Sequence, residues 1–210
     1  DKFMFWFYEP TSQPIIGPLR ASLIYDIPVF LAYLSIIPGM AVFLVKMETD
    51  FVEFYDNFYN AVREGGSLEY MEKMRNEMVF TIRQGIYQII KIQAITTLAV
   101  FVAGEIILNF LGISLLYLPL LFVNLISVGL QVVFLGILNV FFYLDKRRIV
   151  LLLTALFVLF NGIFTAITLY LGPKFYGYGL AAALLVCIMI GFRFLDRVFE
   201  ELEYSTFMLQ

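Results

Sequence analysis

Polar and apolar positions in this chain are sorted into long blocks rather than short periods. Five strongly apolar blocks lie at 27–46, 91–111, 119–143, 149–171 and 176–195. Each approaches or exceeds the ~20 helical residues needed to cross a bilayer core ~30 Å thick. A block of mixed polarity, 47–90, separates the first two. Residues 1–26 precede the first block and 196–210 form a charged tail. The expected fold is an all-α polytopic membrane protein. Its five transmembrane helices and one amphipathic helical hairpin together make a single membrane domain.

Punctuation residues support these spans. Asp26 can cap the first helix, with Pro28 tolerated in its opening turn. Pro38-Gly39 falls in the middle of that helix, where a proline removes a backbone hydrogen bond, so a kink is expected there. Gly112 follows the second helix in a stop position, Pro119 opens the third, and Gly172-Pro173 ends the fourth. Asp145-Lys146-Arg147-Arg148 reads as a tight charged turn.

Block 47–90 has a helical period. Asp50 and Glu53 have the spacing of a capping box. Phe51, Phe54, Tyr55, Phe58, Tyr59 and Val62 then share one face. Gly65-Gly66 breaks the helix and Ser67 can cap the next. Leu68, Met71, Met74, Met78 and Ile82 continue an apolar stripe toward the second membrane helix, past Gly85. Such a hairpin can serve as a docking or gating element, or it can lie on lipid headgroups as an amphipathic pair. Near the start, Phe3-Met4-Phe5-Trp6-Phe7-Tyr8 has the composition of an interfacial belt or of a short surface-lying segment. The chain begins at Asp1 and shows no signal-peptide pattern, so it is expected to be incomplete, and a belt there would suit the outer end of a helix just upstream.

Charge sets the orientation. With the first residues external, Lys2, Arg20 and Lys174 are the outer basic residues, and the other eleven of the fourteen lie inside or at inner helix ends. That bias predicts a cytoplasmic hairpin and a cytoplasmic carboxyl terminus. The chain of 210 residues is 61% hydrophobic and 15% charged, with net charge −3, which offers no basic face for nucleic acid. It has no histidine, which removes histidine-based triads, metal ligands and proton relays. The single cysteine, Cys187, excludes a disulfide framework and reads as a buried thiol. No phosphate-binding loop and no dinucleotide fingerprint is present. No catalytic residue, metal site or cofactor is expected.

The candidate chemistry is therefore polar groups in lipid. Glu105 is the one carboxylate within a transmembrane block, where charge costs at least ~2.5 kcal/mol at the bilayer centre. It stands six residues from the outer end, only ~9 Å along the axis. Both a coupling role and an interfacial packing role fit, and Asn109 is one turn away. Asn124, Ser127 and Gln131 recur at helical spacing on the third helix, with Asn139 near that face. Asn161, Thr165 and Thr168 do the same on the fourth. Such faces turn from lipid toward neighbouring helices or a wet cavity. Neutral amides suit hydroxylated ligands such as sugars, and they also serve as interhelical glue. Pro38, Gly39 and Gly85 are hinge candidates.

Three stretches carry a family resemblance. They are Tyr25-Asp26-Ile27-Pro28-Val29-Phe30-Leu31-Ala32-Tyr33-Leu34-Ser35-Ile36-Ile37-Pro38-Gly39-Met40; Glu48-Thr49-Asp50-Phe51 with Phe58-Tyr59 and Gly65-Gly66-Ser67-Leu68; and Leu138-Asn139-Val140-Phe141-Phe142-Tyr143-Leu144-Asp145-Lys146-Arg147. In order and spacing they resemble the carboxyl-terminal part of the PelG family, the membrane transporters of Pel exopolysaccharide systems. That family is similar to the multidrug/oligosaccharidyl-lipid/polysaccharide flippase superfamily. The resemblance implies a flippase-like carboxyl-terminal lobe, a bacterial inner-membrane location and export of an amino-sugar polymer in biofilm formation. It also implies a cytoplasmic glycosyltransferase and a cyclic di-GMP receptor among the partners. A non-transporting scaffold of a synthase complex and a drug or lipid-linked oligosaccharide flippase remain alternatives, because fold does not fix substrate.

Overall fold

The computed structural model describes residues 1–208, without the side chains of 47–48 and 202–208. It is an all-α bundle with one small β-ribbon. A short helix, α1 (Lys2–Phe7), starts at Asp1, whose carboxylate accepts from the Lys2 amide at 2.8 Å. The ribbon pairs β1 (Gln13–Ile16) with β2 (Leu19–Ala21) in antiparallel register around Gly17, which has φ +57°. Seven further helices follow. They are α2 (Leu23–Leu34), α3 (Ile36–Val45), α4 (Val52–Arg63), α5 (Leu68–Phe110), α6 (Leu118–Tyr143), α7 (Arg147–Leu171) and α8 (Tyr178–Met208).

The first span departs from expectation at both punctuation points. Its helix begins at Leu23, so Pro28 falls inside the helix rather than in the opening turn. Asp26 is not the cap residue. From inside the helix its carboxylate accepts from the Ser22 amide at 3.0 Å and from Trp6 Nε1 at 2.9 Å. The kink lies at Ser35, one turn before Pro38-Gly39, and bends Leu23–Leu34 by 41° from the segment Ile36–Arg63. The displacement follows from proline chemistry. The ring of Pro38 collides with the carbonyl four residues back, that of Leu34, and has no N–H to offer it.

Block 47–90 also differs from its reading. A six-residue π-helical turn, Lys46–Phe51, carries the chain from α3 into α4 without leaving helical conformation. No capping box forms, because no helix start exists at Asp50. Instead Asp50 pairs with Lys46. Gly65, at φ +72°, ends α4, and the Ser67 hydroxyl accepts from the Tyr70 amide at 3.3 Å to start α5. The second hairpin arm and the second membrane span are one 43-residue helix, about 65 Å long at 1.5 Å per residue.

Burial explains the arrangement. Helix α6 is the central element and packs against α2, α3, α5, α7 and α8. The hairpin stripe continues the same core: Phe51, Phe58, Met74, Met78 and Ile82 join Val140, Phe141 and Leu144 of α6 in one apolar cluster. The Phe51 ring meets Tyr143 edge-on at 5.2 Å. The hairpin is thus stacked onto the end of the bundle, beside the α6–α7 turn. This end is called the hairpin end below, and the other the ribbon end. Cys187 is a buried free thiol. Among the described residues, four helices are long and apolar enough to cross a membrane, and the bent α2–α3 pair makes a fifth.

Candidate functional site

At the break, Pro38 offers no N–H to the Leu34 carbonyl, and the next carbonyl, that of Ser35 at the N-cap of α3, accepts an added hydrogen bond from a side chain that sequence reading passed over. Gln93, on α5, is 3% exposed, and its Nε2 donates to the Ser35 carbonyl at 3.2 Å. The reverse amide orientation would set oxygen against oxygen, so the hydrogen bond fixes the assignment. Two glycines make room for this side chain. A Cβ on Gly39 would overlap Gln93 Oε1, and one on Gly129 would lie 3.1 Å from Gln93 Cγ. Gln93 therefore fills the crossing of α3, α5 and α6, and its Oε1 is buried without a hydrogen-bond partner. A second polar link ties α2 to α6 nearby: the Tyr33 hydroxyl donates to Gln131 Oε1 at 2.9 Å.

The other sequence candidates are dispersed. Asn124 is 1% exposed, and neither of its amide atoms has a partner. The Ser127 hydroxyl turns back to the Val123 carbonyl at 3.1 Å, and Asn139 is half-buried. On α7 the Thr165 hydroxyl donates to Asn161 Oδ1 at 3.1 Å, and Thr168 donates to the Thr165 carbonyl at 2.9 Å. Glu105 and Asn109 are exposed, on the side of α5 that also shows Ile106 and Phe110 outward. They share no cavity with the α6 amides. Pro38 and Gly39 flank the observed break, whereas α5 runs through Gly85 without interruption.

The structure thus brings Gly39 to Gln93, links Gln131 to Tyr33 and leaves the rest apart. Only the pairing of three helices reveals Gln93. In the sequence it is a lone glutamine between Ile92 and Ala94, with no partner at helical spacing except Thr96 and Thr97. An apolar groove of about 460 Å3 runs beside it between α5, α6 and α8, lined by Thr97, Phe101, Gly129, Ile188 and Phe192. Arg83 of α5 pairs with Asp196 of α8 at 3.2 Å. The pair is exposed on both sides and contributes at most about 1 kcal/mol. Among the described residues no group of three or more acidic, cysteine or histidine side chains could hold a metal ion.

The arrangement can serve as a mechanical element. A bent span rests on one side-chain amide from a straight helix, and small residues allow the close approach. A π-helical turn at the far end of α3 adds a second point where the backbone departs from regular α geometry.

Comparison with known proteins gives one match. The PelG family model, described as "Putative exopolysaccharide Exporter (EPS-E)", matches residues 1–207. No curated protein matches the chain, and no solved structure does.

Proposed function

The chain belongs to the PelG family of exopolysaccharide exporters, and from that premise we propose that it forms part of an inner-membrane exporter. The cargo is a Pel-like amino-sugar polymer, moved from cytoplasm to periplasm. The observation that carries the mechanism is the bent α2–α3 span held at its break by Gln93. Alternating access in membrane transporters is largely the rocking of one bundle against another around a midplane site. A span broken near mid-membrane, with a side-chain amide from another helix bonded at the break, is a suitable pivot. Pro38 and Gly39 belong to that hinge. Asn124, Gln131, Asn139, Asn161 and Thr165 are polar groups available along the path, and Glu105 with Asn109 stands outside it on the same side of the membrane as the ribbon.

The hairpin end is the cytoplasmic side in this reading. Stacking of the hairpin beside the α6–α7 turn puts Arg63 and Lys73 at the end that also carries Lys146, Arg147 and Arg148. This agrees with the positive-inside rule. The hairpin is then the surface on which a cytoplasmic glycosyltransferase and a cyclic di-GMP receptor subunit would dock. Labelling of single cysteines tests the orientation. Glu64→Cys, at the hairpin tip, should be shielded from impermeant thiol reagents in intact cells, and Lys174→Cys should label. Both positions are exposed, so the substitutions leave packing intact. The reverse pattern would sink the orientation.

Export itself is tested by secreted polymer per unit of membrane-inserted protein, measured in the full-length exporter. Gln131→Leu removes the Tyr33 bond, and interhelical hydrogen bonds in membranes average only about 0.6 kcal/mol. Abundance should therefore stay near normal while secretion falls several-fold, and Asn124→Leu should behave alike. Glu105→Gln should act more weakly, since Glu105 faces outward. A ratio unchanged in all three variants would overturn the path assignment. Loss of synthase assembly without retained intracellular polymer would identify a scaffold instead.

A further inference from the structure

At the ribbon end, four parts of the chain, including Ile24 of α2, enclose a cleft of about 460 Å3. Thr11 follows α1 and forms one side. Tyr117 comes from the turn before α6. Lys174, Tyr176 and Tyr178 come from the turn between α7 and α8.

The walls are fixed for local reasons. Tyr176 is buried, with its ring edge-on to Phe5 at 5.1 Å. Phe5 in turn stacks on Tyr25 at 3.8 Å with the planes 5° apart. The Thr11 hydroxyl donates to the Phe5 carbonyl at 2.9 Å, and Trp6 is tied to Asp26 of α2. Gly177 separates the two tyrosines at φ +85°, and a Cβ there would lie 3.1 Å from Leu120 and from Val123. Only glycine fits that backbone without strain, so Tyr176 and Tyr178 are held in set positions.

The chemistry of the cleft is mixed in a specific way. Lys174 is exposed and has no ion pair among the described residues. Tyr178 is half-exposed. Behind the wall, next to Val123, lies Asn124. Its Oδ1 would be 3.4 Å from a Cβ on Gly177, and both its amide atoms lack partners. A sugar ring answers this combination. Its C–H faces pack on aromatic faces, and its hydroxyls donate to and accept from phenols and accept from an ammonium group. A purely apolar ligand would leave Lys174 and the phenols unused.

We propose that this cleft binds sugar rings of the exported polysaccharide as the polymer passes the ribbon end. Tyr117 and Tyr178 stack on the rings, and Lys174 donates to ring hydroxyls. The inference rests on the exporter reading and adds to it a binding site that the sequence pattern did not indicate.

The test uses the detergent-solubilised full-length exporter and short fragments of its own secreted polymer, with binding followed by isothermal titration. Tyr178→Ala and Tyr117→Ala should each weaken binding about tenfold, equal to about 1.4 kcal/mol. Lys174→Gln should weaken it less, and Tyr178→Phe should retain most of it, since the ring face is kept. Tyr178→Phe also controls for folding. Variants that bind the fragments as tightly as the parent would overturn the proposal while leaving the exporter reading intact. So would a parent that binds no fragment but loses a short-chain phosphatidylglycerol on Lys174→Gln, because the cleft would then be a lipid-phosphate site. Failure of the exporter reading shows separately, as unchanged secretion in a strain lacking the gene.

Discussion

Gly179→Ala should destabilise the bundle by roughly 3 kcal/mol, the upper end of what overpacking costs. Gly179 stands in the first turn of α8, where the backbones of α7 and α8 come closest. A Cβ there would lie 2.7 Å from the Thr165 amide nitrogen and 2.8 and 2.9 Å from the Phe164 carbonyl carbon and oxygen. These are main-chain atoms of a helix, so no side-chain rotation relieves the overlap and the two helices must separate. Interfaces between membrane helices depend on such small residues because lipid supplies no hydrophobic drive for association. Gly162, also on α7, is the control: a Cβ there meets nothing within 4 Å. Gly162→Ala should therefore leave stability unchanged or raise it by about 0.5–1 kcal/mol, the usual gain in helix preference. Thermal unfolding of the purified protein in one detergent reads both. Equal midpoints for the two variants would show that α7 and α8 do not meet at Gly179.

Gln93→Ala and Gly39→Ala should each impair the protein, and the double variant should be less impaired than their sum. Removing the Gln93 amide loses its hydrogen bond to the Ser35 carbonyl, worth about 0.5–1.5 kcal/mol. Adding a methyl group at Gly39 drives it into Gln93 Oε1 and displaces the amide from Ser35. When Gln93 is already alanine, that collision is gone, and the same methyl group enters space the amide has vacated. Residues that share one contact give coupling energies of about 0.5–3 kcal/mol. Here the coupling should be favourable. The measurement is a double-mutant cycle on thermal stability, with secretion per inserted protein beside it. Strict additivity would falsify the account of the crossing. If the break is the pivot of transport, the Gln93→Ala variant should lose secretion beyond what its lower stability explains.

These two predictions concern positions whose importance lies in neighbours rather than in sequence context. The transmembrane blocks were legible because lipid demands long apolar runs, and length alone identifies them. The stripe of Phe51, Phe58, Met74 and Met78 was legible because helical periodicity marks a buried face. Its destination was not. Periodicity gives a face, and only packing against Val140 and Phe141 decided that the face meets the bundle rather than headgroups. The capping box at Asp50 misled because local spacing cannot register that α3 continues through a π-helical turn. Pro38 announced a kink, and the proline's clash four residues back placed it at Ser35.

The small ribbon at Gln13–Ile16 and Leu19–Ala21 went unread. Its strands are short, one contains Pro14, and in isolation such a pair is marginal.

By itself, then, the sequence determined the solvent of this protein, the existence of its long apolar spans, the surface charge asymmetry and the family resemblance. All of these depend on residue type summed over a window or on order along the chain. The tertiary structure alone decided which polar groups meet. It put Gln93 between Gly39 and Gly129, paired Tyr33 with Gln131, turned Glu105 outward and gathered Thr11, Tyr117 and Tyr178 around one cleft. Those contacts join residues tens of positions apart on different helices. Their energy depends on crossing geometry and close approach, and no pattern along a single helix contains either.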